Sequence, residues 1–280
     1  LIPYGKIKKG VSYPIIKQTG DWIEILFAGR IGYVYKSGYT IPFTEKTKYF
    51  TVTQPNVIVY DNSTGKLIPV GALEKQETYS IKRIVGNWIE IQFGNKKGYV
   101  WKESTEPSLR APRKTGQETL NSNVYFKASE ELSVYDNSLG KLIKFGSIKK
   151  GMTYPIIKKT GNWYEIVYAG RIGYVYATGV ILQFSNSIKY FETTQSKVQI
   201  VQNKNDRHVK IGELIKGHQY ERLRDLGNWH EVQIGDKIGY VWKAATKPVL
   251  SSTYKNRHKG TVNSPYHLEV IADATVYDNT

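Results

Sequence analysis

One phrase recurs four times along this chain of 280 residues. It reads Gly-(Asn/Asp)-Trp-x-Glu-(Ile/Val), and a closing Gly-Tyr-Val-(Tyr/Trp) begins ten residues after each Trp. The four copies are centred on Trp22, Trp88, Trp163 and Trp229. Repetition at such a period is the signature of an array of small units, so we expect several small modules rather than one large core.

The repeat has a second level, because the modules come in pairs. The Trp spacings are 66, 75 and 66 residues, and residues 1–40 agree with residues 142–181 at 26 of 40 positions. This indicates an A-B-A-B array made by duplication of a pair. The predicted segments are module 1 at 1–45 (its first strand missing), module 2 at 46–103, a linker at 104–124, module 3 at 125–185, module 4 at 186–246, and a linker with the start of a further module at 247–280.

Each module is predicted to be a small β-barrel. Ile89, Ile91 and Phe93 alternate with Trp88 and Glu90, and a period of two indicates a half-buried strand. Gly-containing turns separate several such short strands, and no convincing amphipathic helix is present. The predicted fold class is therefore all-β, with tandem small barrels arranged as two A-B pairs.

Composition narrows the classes of partner. The net charge of +16 favours polyanions, such as nucleic acid, an anionic membrane surface or an anionic wall polymer. The basic residues are spread over all modules with no nucleic-acid reader motif, so no specific nucleic-acid partner is expected. The chain has no Cys, which excludes disulfides and thiolate sites. No apolar run reaches the roughly 20 residues that a membrane-spanning helix needs.

Three phrases occur in a fixed order in the modules: Gly-x-(Ile/Leu)-x-Lys-Gly-x-x-Tyr, then Gly-Asn-Trp-x-Glu-(Ile/Val), then Gly-(Lys/Arg)-x-Gly-Tyr-Val. This order resembles the bacterial SH3-like (SH3b) domain over nearly all of the four modules. One departure lies after the first strand, where Val59–Gly65 and Val134–Gly140 replace the Asn-Val-Arg-Ser-Gly-Pro type of opening. The resemblance implies an extracellular, cell-wall-associated protein of Gram-positive bacteria, in which such modules target peptidoglycan hydrolases and other surface proteins to the wall.

Strand alternation places a set of aromatic side chains on the outer face of each module. Rigid surface aromatics stack on sugar rings or flat peptide groups, so we expect this face to bind ligand. The alternative is that each Trp is a half-buried lid or packs against a neighbouring module. The candidate ligand-binding residues are Trp22, Tyr33, Tyr35, Trp88, Tyr99, Trp101, Trp163, Tyr174, Tyr176, Trp229, Tyr240 and Trp242.

Charged residues recur with the same period. Arg30, Lys96, Arg171 and Lys237 are candidate contacts for an anionic polymer. A glutamate also recurs, and its simplest role is an exposed ion pair across the hairpin rather than catalysis, since no second catalytic group recurs beside it. The five histidines form no metal-binding pattern. No catalytic residue, metal or cofactor is therefore predicted for this chain.

Adhesion to the cell envelope is the function that these observations favour. The expected ligand is peptidoglycan, an anionic wall polymer such as teichoic acid, or both. The alternative is a structural rod or adhesin region that binds host glycans or proteins. A peptidoglycan hydrolase that carries these modules as a targeting region is compatible with the first interpretation.

The two chain ends suggest an exchange of strands. Residues 274–280 resemble the leading segment of module 3 near residues 131–136, which module 1 lacks. Because an unpaired sheet edge recruits strands, the C-terminal segment is a candidate to complete module 1, in the same chain or from another chain. The two linkers are basic, at residues 108–114 and 254–259, and offer a further foothold for an anionic polymer.

Overall fold

The computed structural model describes residues 1–116, 122–205, 207–253 and 264–278. Its regular elements are strands, apart from three short 3-10 turns at Lys36–Gly38, Lys102–Ser104 and Lys243–Ala245. The prediction of an all-β chain of small barrels is confirmed. No helix in the described ranges is long and apolar enough to cross a membrane.

Module 1 is a three-stranded antiparallel sheet. Its strands are β1 (Ile15–Thr19), β2 (Trp22–Phe27) and β3 (Arg30–Tyr35), in the order β1-β2-β3. Ile23 and Ile25 of β2 are buried, in agreement with the predicted alternation. Within the described ranges, no strand is hydrogen-bonded to the outer side of β3, so this module is an open sheet.

Module 2 combines two sheets around one core. Five of its strands lie side by side in one sheet, in the order β6-β5-β10-β9-β8. Three others form the second sheet, in the order β11-β4-β7. Phe50, Val59, Ile89, Ile91 and Val100 are fully buried between them. The strands are β4 (Tyr49–Val52), β5 (Val57–Asp61), β6 (Ile68–Leu73), β7 (Thr78–Ser80), β8 (Arg83–Val85), β9 (Trp88–Phe93), β10 (Lys96–Trp101) and β11 (Thr105–Ser108).

Module 4 repeats this arrangement with the orders β22-β21-β26-β25-β24 and β23-β20-β27. Its core contains Phe191, Ile200, Val232 and Val241. The strands are β20 (Tyr190–Thr193), β21 (Val198–Lys204), β22 (Arg207–Leu214), β23 (Gln219–Glu221), β24 (Arg224–Leu226), β25 (Trp229–Ile234), β26 (Lys237–Trp242) and β27 (Thr246–Val249).

Module 3 has strands at the equivalent places. One of its sheets has the order β15-β12-β19, and β16-β17-β18-β13 run side by side in another. The strands are β12 (Tyr125–Ala128), β13 (Leu132–Asp136), β14 (Ile143–Ile148), β15 (Thr153–Pro155), β16 (Lys158–Thr160), β17 (Trp163–Tyr168), β18 (Arg171–Tyr176) and β19 (Val180–Gln183).

Packing divides the chain into two compact units that do not follow the sequence repeat. Unit 1 is Leu1–Glu118 with Asp136–Gly146 and Tyr168–Ile172, and unit 2 is Thr119–Tyr135 with Ser147–Val167 and Gly173–Thr280. Unit 1 therefore includes pieces of module 3 that pack on module 2. The Tyr168 ring lies 5.0 Å from that of Phe93, and its hydroxyl donates to the Ala72 carbonyl at 2.7 Å.

Unit 1 contains a group of four charges, in which Arg171 and Asp136 are buried and Glu77 and Arg113 are half-buried. The guanidinium of Arg171 donates to Glu77 at 2.7 Å and to Asp136 at 2.8 Å, and Arg113 bridges the same two carboxylates. Arg171 also lies 4.0 Å from the centre of the Phe145 ring. Burial raises the pKa of Asp136, but hydrogen bonds from Ser138 and Arg171 outweigh it and hold the pKa below its usual value.

Two short strands extend the modules beyond the boundaries that the sequence suggested. Thr105–Ser108, assigned above to the linker, pairs with β4, and Thr246–Val249 pairs with β20. Each contains a proline that obscures its strand pattern. Both lie at a sheet edge, which is where a strand accommodates the missing N–H of proline.

The C-terminal segment forms no strand over the described residues 264–278, and Val276 and Tyr277 are 91% and 85% exposed. Over the described residues this segment therefore does not complete module 1 of the same chain, and that part of the prediction is wrong. A likeness to a leading strand does not by itself supply the neighbouring strands that would hold it. Completion of module 1 from another chain and the start of a further module stay predictions. Asn279, Thr280 and the basic segment 254–259 lie outside the described residues.

Candidate functional site: the repeated aromatic groups

The hairpin that carries the repeated phrase brings two aromatic rings together in every module. Trp88 on β9 is directly opposite Trp101 on β10 in the strand register. Cross-strand partners lie close enough for aromatic side chains to touch. The ring centroids are 5.0 Å apart for Trp88 and Trp101, and 4.9 to 5.0 Å apart for the pairs Trp22–Tyr35, Trp163–Tyr176 and Trp229–Trp242.

A third ring joins the pair in modules 2, 3 and 4, and the sequence interpretation missed it. Tyr60 and Tyr135 each stand 5.9 Å from the Trp of their own module, in an edge-to-face arrangement. In module 4 His208 takes this place, 5.2 Å from Trp229. The alternation in Val59-Tyr60-Asp61 does place Tyr60 on the outer face, but only the structure shows that this strand lies beside β10.

The aromatic groups are partly open to solvent. The four tryptophans of the repeated phrase are half-buried, as are Trp101, Tyr99, Tyr174 and Tyr240. The exposed members are Tyr33, Tyr35, Tyr176 and Trp242, at 51%, 46%, 43% and 43% of their full surface. Each tryptophan packs against its neighbours, in agreement with the half-buried alternative, and each group still leaves aromatic surface exposed. Ligand binding by this face stays a prediction.

The four candidate anion contacts have different environments. Arg30 and Lys237 are exposed, and the Arg30 guanidinium lies 4.3 Å from the Tyr4 ring centroid. Lys96 is exposed, with its ammonium 3.2 Å from the Asp61 carboxylate. The assignment of Arg171 is wrong. Its side chain is fully buried and held by Glu77 and Asp136, so it cannot reach a polymer outside.

Two of the four recurring glutamates, Glu90 and Glu231, are bound by bases, as expected for structural ion pairs. The Glu90 carboxylate lies 2.8 Å from Arg83 and 3.7 Å from Lys97, and Glu231 lies 2.8 Å from Arg224. Both glutamates are 6% exposed, which differs from the exposed position that strand alternation suggested. Within the described ranges, no three His, Asp or Glu side chains are grouped closely enough to hold a metal ion.

Comparisons with known proteins leave the family open. No family model matches the chain, and no curated protein sequence matches it. Among solved structures, that of NlpC2 from Trichomonas vaginalis is similar at 11% identity, over 75% of this chain and 97% of that one, with a TM-score of 0.19. A TM-score this low carries no argument about fold or function. Fold and site define a tandem array of small all-β modules with a repeated aromatic group.

Proposed function

We propose that this chain is a non-catalytic binding region that holds an exported bacterial protein on the cell envelope. Its ligand is peptidoglycan, an anionic wall polymer of the teichoic acid class, or both. The supporting observation is the group of touching aromatic rings that recurs at one place on all four modules. Aromatic faces take sugar rings or flat peptide groups at small entropic cost.

Repetition is what makes such a surface effective. One small group of rings with an exposed edge binds weakly, whereas a polymer presents the same chemistry many times. Once one module is bound, a tethered neighbour finds its own site at a high effective concentration, and avidity rises by about 10²–10⁴-fold. The net charge of +16 adds attraction to an anionic polymer.

We propose no catalytic role for the repeated glutamates. General acid–base chemistry needs a group that can change protonation beside a second catalytic group and a bound substrate. Glu90 and Glu231 instead each accept an ion pair from an arginine on the neighbouring strand. Catalysis, where the full protein has it, belongs to another part of that protein.

Sedimentation of the purified chain with Gram-positive cell walls tests this function. The walls are used before and after chemical removal of teichoic acid. Retention on stripped walls assigns the binding to peptidoglycan, and loss of retention assigns it to the anionic polymer. Absence from both pellets would overturn the proposal and favour the rod or adhesin alternative.

Matched variants connect the result to the aromatic groups. A chain with Tyr35→Ala, Trp101→Ala, Tyr176→Ala and Trp242→Ala loses one ring of each hairpin pair and should fall from the pellet. Tyr266→Ala is the control, because Tyr266 is 87% exposed and belongs to none of the four groups. Unchanged sedimentation of the fourfold variant would show that the aromatic groups are not the binding surface.

A further inference from the structure

Unit 2 contains an open groove of about 830 Å³ between two edge strands. One wall is β19 of module 3 and the other is β27 of module 4, and each strand lies at the end of its three-stranded sheet. Trp242, a member of the module 4 aromatic group, also lines the groove. The groove is therefore continuous with the proposed binding surface.

Within the described ranges, neither β19 nor β27 has a strand partner on its second side. The Thr246 N–H of β27 already donates to the Lys243 carbonyl, and Pro248 has no N–H, so the donors of this groove are side chains rather than the strand edge. A linear polymer fits this geometry better than a compact solute does.

Positive charge dominates the lining. Its charged residues are Lys159, Lys243 and Lys247 against the single carboxylate of Glu192. Lys247 is paired with Glu192 at 2.7 Å, whereas Lys159 is exposed and forms no ion pair with any described residue. Lys159 lies 5.7 Å from the centre of the Tyr164 ring.

The ion-pair cluster around Lys243 also carries one uncompensated positive charge. The Lys243 ammonium lies 2.6 Å from Asp225, but the same Asp225 oxygen is 2.8 Å from Arg222, so one carboxylate serves two cations. Two positive charges of the groove and its surroundings are thus uncompensated, one at Lys159 and one in this cluster. Such an excess favours an anionic ligand.

The first module pair shows that this charge is particular to the second pair. At the offset of 141 residues, Lys159, Ala244 and Lys247 correspond to Gln18, Glu103 and Glu106. Glu106 is in turn paired with Lys36 at 3.0 Å, and Lys36 corresponds to Ala177. The duplicated pairs have kept their strand phrases but differ in charge at these positions. A general basic surface would not produce that local difference.

We propose that this groove binds a phosphodiester polymer of the envelope, of the teichoic acid class. The inference rests on the proposed function and assigns that ligand to one place. Lysine ammonium groups bind phosphate as compact point charges. Trp242 offers an exposed ring to the sugar or polyol between phosphates.

Titration calorimetry of the full chain with lipid-free poly(glycerol phosphate) tests the groove. The variant Lys159→Gln/Ala244→Glu/Lys247→Glu introduces the residues of the first pair, and Lys247→Glu also leaves Glu192 without its cation. We expect its affinity to fall by about tenfold or more, and that of Lys159→Gln alone by about threefold. Circular dichroism and the thermal midpoint check that each variant is folded.

The control is Lys150→Glu/Lys204→Glu, which removes the same positive charge at exposed positions outside the groove. The control should bind nearly as well as the unmodified chain. Equal loss in both variants, no loss in the groove variant, or equal loss for a soluble muropeptide would overturn the inference. If the unmodified chain pellets with walls but the groove variant binds poly(glycerol phosphate) with unchanged affinity, the groove is not the binding site and the proposed function still stands. Where the unmodified chain pellets with no wall, the proposed function fails as well.

Discussion

Lys96 and Arg171 occupy the same place in the repeat, at the start of the closing strand, yet their surroundings differ. Lys96 is paired with Asp61, and its side chain is 56% exposed. Arg171 is paired with the equivalent Asp136 and with Glu77, and its side chain is 1% exposed. The sequence shows two equivalent cations, and only the packing of unit 1 makes one of them part of a core.

Removal of Arg171 is therefore expected to be more costly than removal of Lys96. Arg171→Met leaves Asp136 buried and without its closest cation, which should lower the free energy of unfolding by about 3–5 kcal/mol. Lys96→Met removes an exposed cation from the buried Asp61, which keeps its hydrogen bond from the Ser63 N–H, and should cost less, about 1–2 kcal/mol. Urea unfolding of the two variants measures the difference. Equal costs would mean that the buried group of charges is open to water.

His230 is a second residue whose environment decides its chemistry. It is fully buried, stacks on Phe191 at 4.9 Å and shares a hydrogen bond with Thr246 at 2.9 Å. Burial above all, together with the positive charges of Arg222 and Lys243, lowers its pKa from 6.5 to about 4, while Asp225 opposes the shift. The folded protein thus keeps a neutral imidazole.

Acid should therefore destabilise unit 2. As the pH falls from about 6.5 to about 4, the unfolded histidine binds a proton and the folded one does not, so the free energy of unfolding drops by on the order of 3 kcal/mol. His230→Ile uses the residue found at the equivalent positions 23 and 89 and should remove that part of the pH dependence. Thermal midpoints at pH 7 and pH 4.5 measure it. An identical acid shift in the variant would assign the effect to other groups.

At the scale of single elements, the closing strand needs the glycine of Gly-Tyr-Val where another strand packs beside it, because a side chain at that position would meet the side chains of its neighbours. A Cβ on Gly98 would lie 2.7 Å from Val59 Cγ1 and 3.0 Å from Phe93 Cβ. A Cβ on Gly32 meets first the Tyr4 hydroxyl at 2.7 Å, the far end of an exposed side chain that can move. Among the residues that the structure describes, no strand of module 1 takes the place of β5.

Alanine at these two glycines should consequently have unequal effects. Gly98→Ala forces the β5 and β9 side chains apart and should cost about 1–3 kcal/mol. Gly32→Ala should stay within about 0.5 kcal/mol, because the tyrosine can turn away. Chemical unfolding curves of both variants give the comparison. A large cost for Gly32→Ala would indicate that another segment covers β3.

For the whole molecule, charge and repetition act together. The charge of +16 is spread over the modules, so attraction to a polyanion sums over many exposed cations. Salt shortens the screening length from about 10 Å at 0.1 M to about 3 Å at 1 M. Exposed cations lose most of their attraction over that range, whereas ring stacking does not.

Retention on walls that still carry teichoic acid should therefore weaken steeply with salt. We expect most of the chain to leave the pellet by about 0.5 M NaCl, because the screening length is by then shorter than the distance between most exposed charges. Retention on stripped walls should change little, since aromatic contacts carry it. Sedimentation across a salt series measures both. Salt-independent retention on intact walls would exclude charge as the main attraction.

The sequence by itself determined the all-β class, the four-fold repeat and the buried parity of Ile89 and Ile91. These properties follow from local periodicity, which one hairpin expresses completely. Tertiary structure decided the rest. Tyr60 and His208 reach the aromatic groups, Arg171 is buried, and two edge strands enclose a groove, because each depends on segments far apart in the chain. Equivalent sequence positions then meet different neighbours, and their neighbours set their charge state, exposure and role.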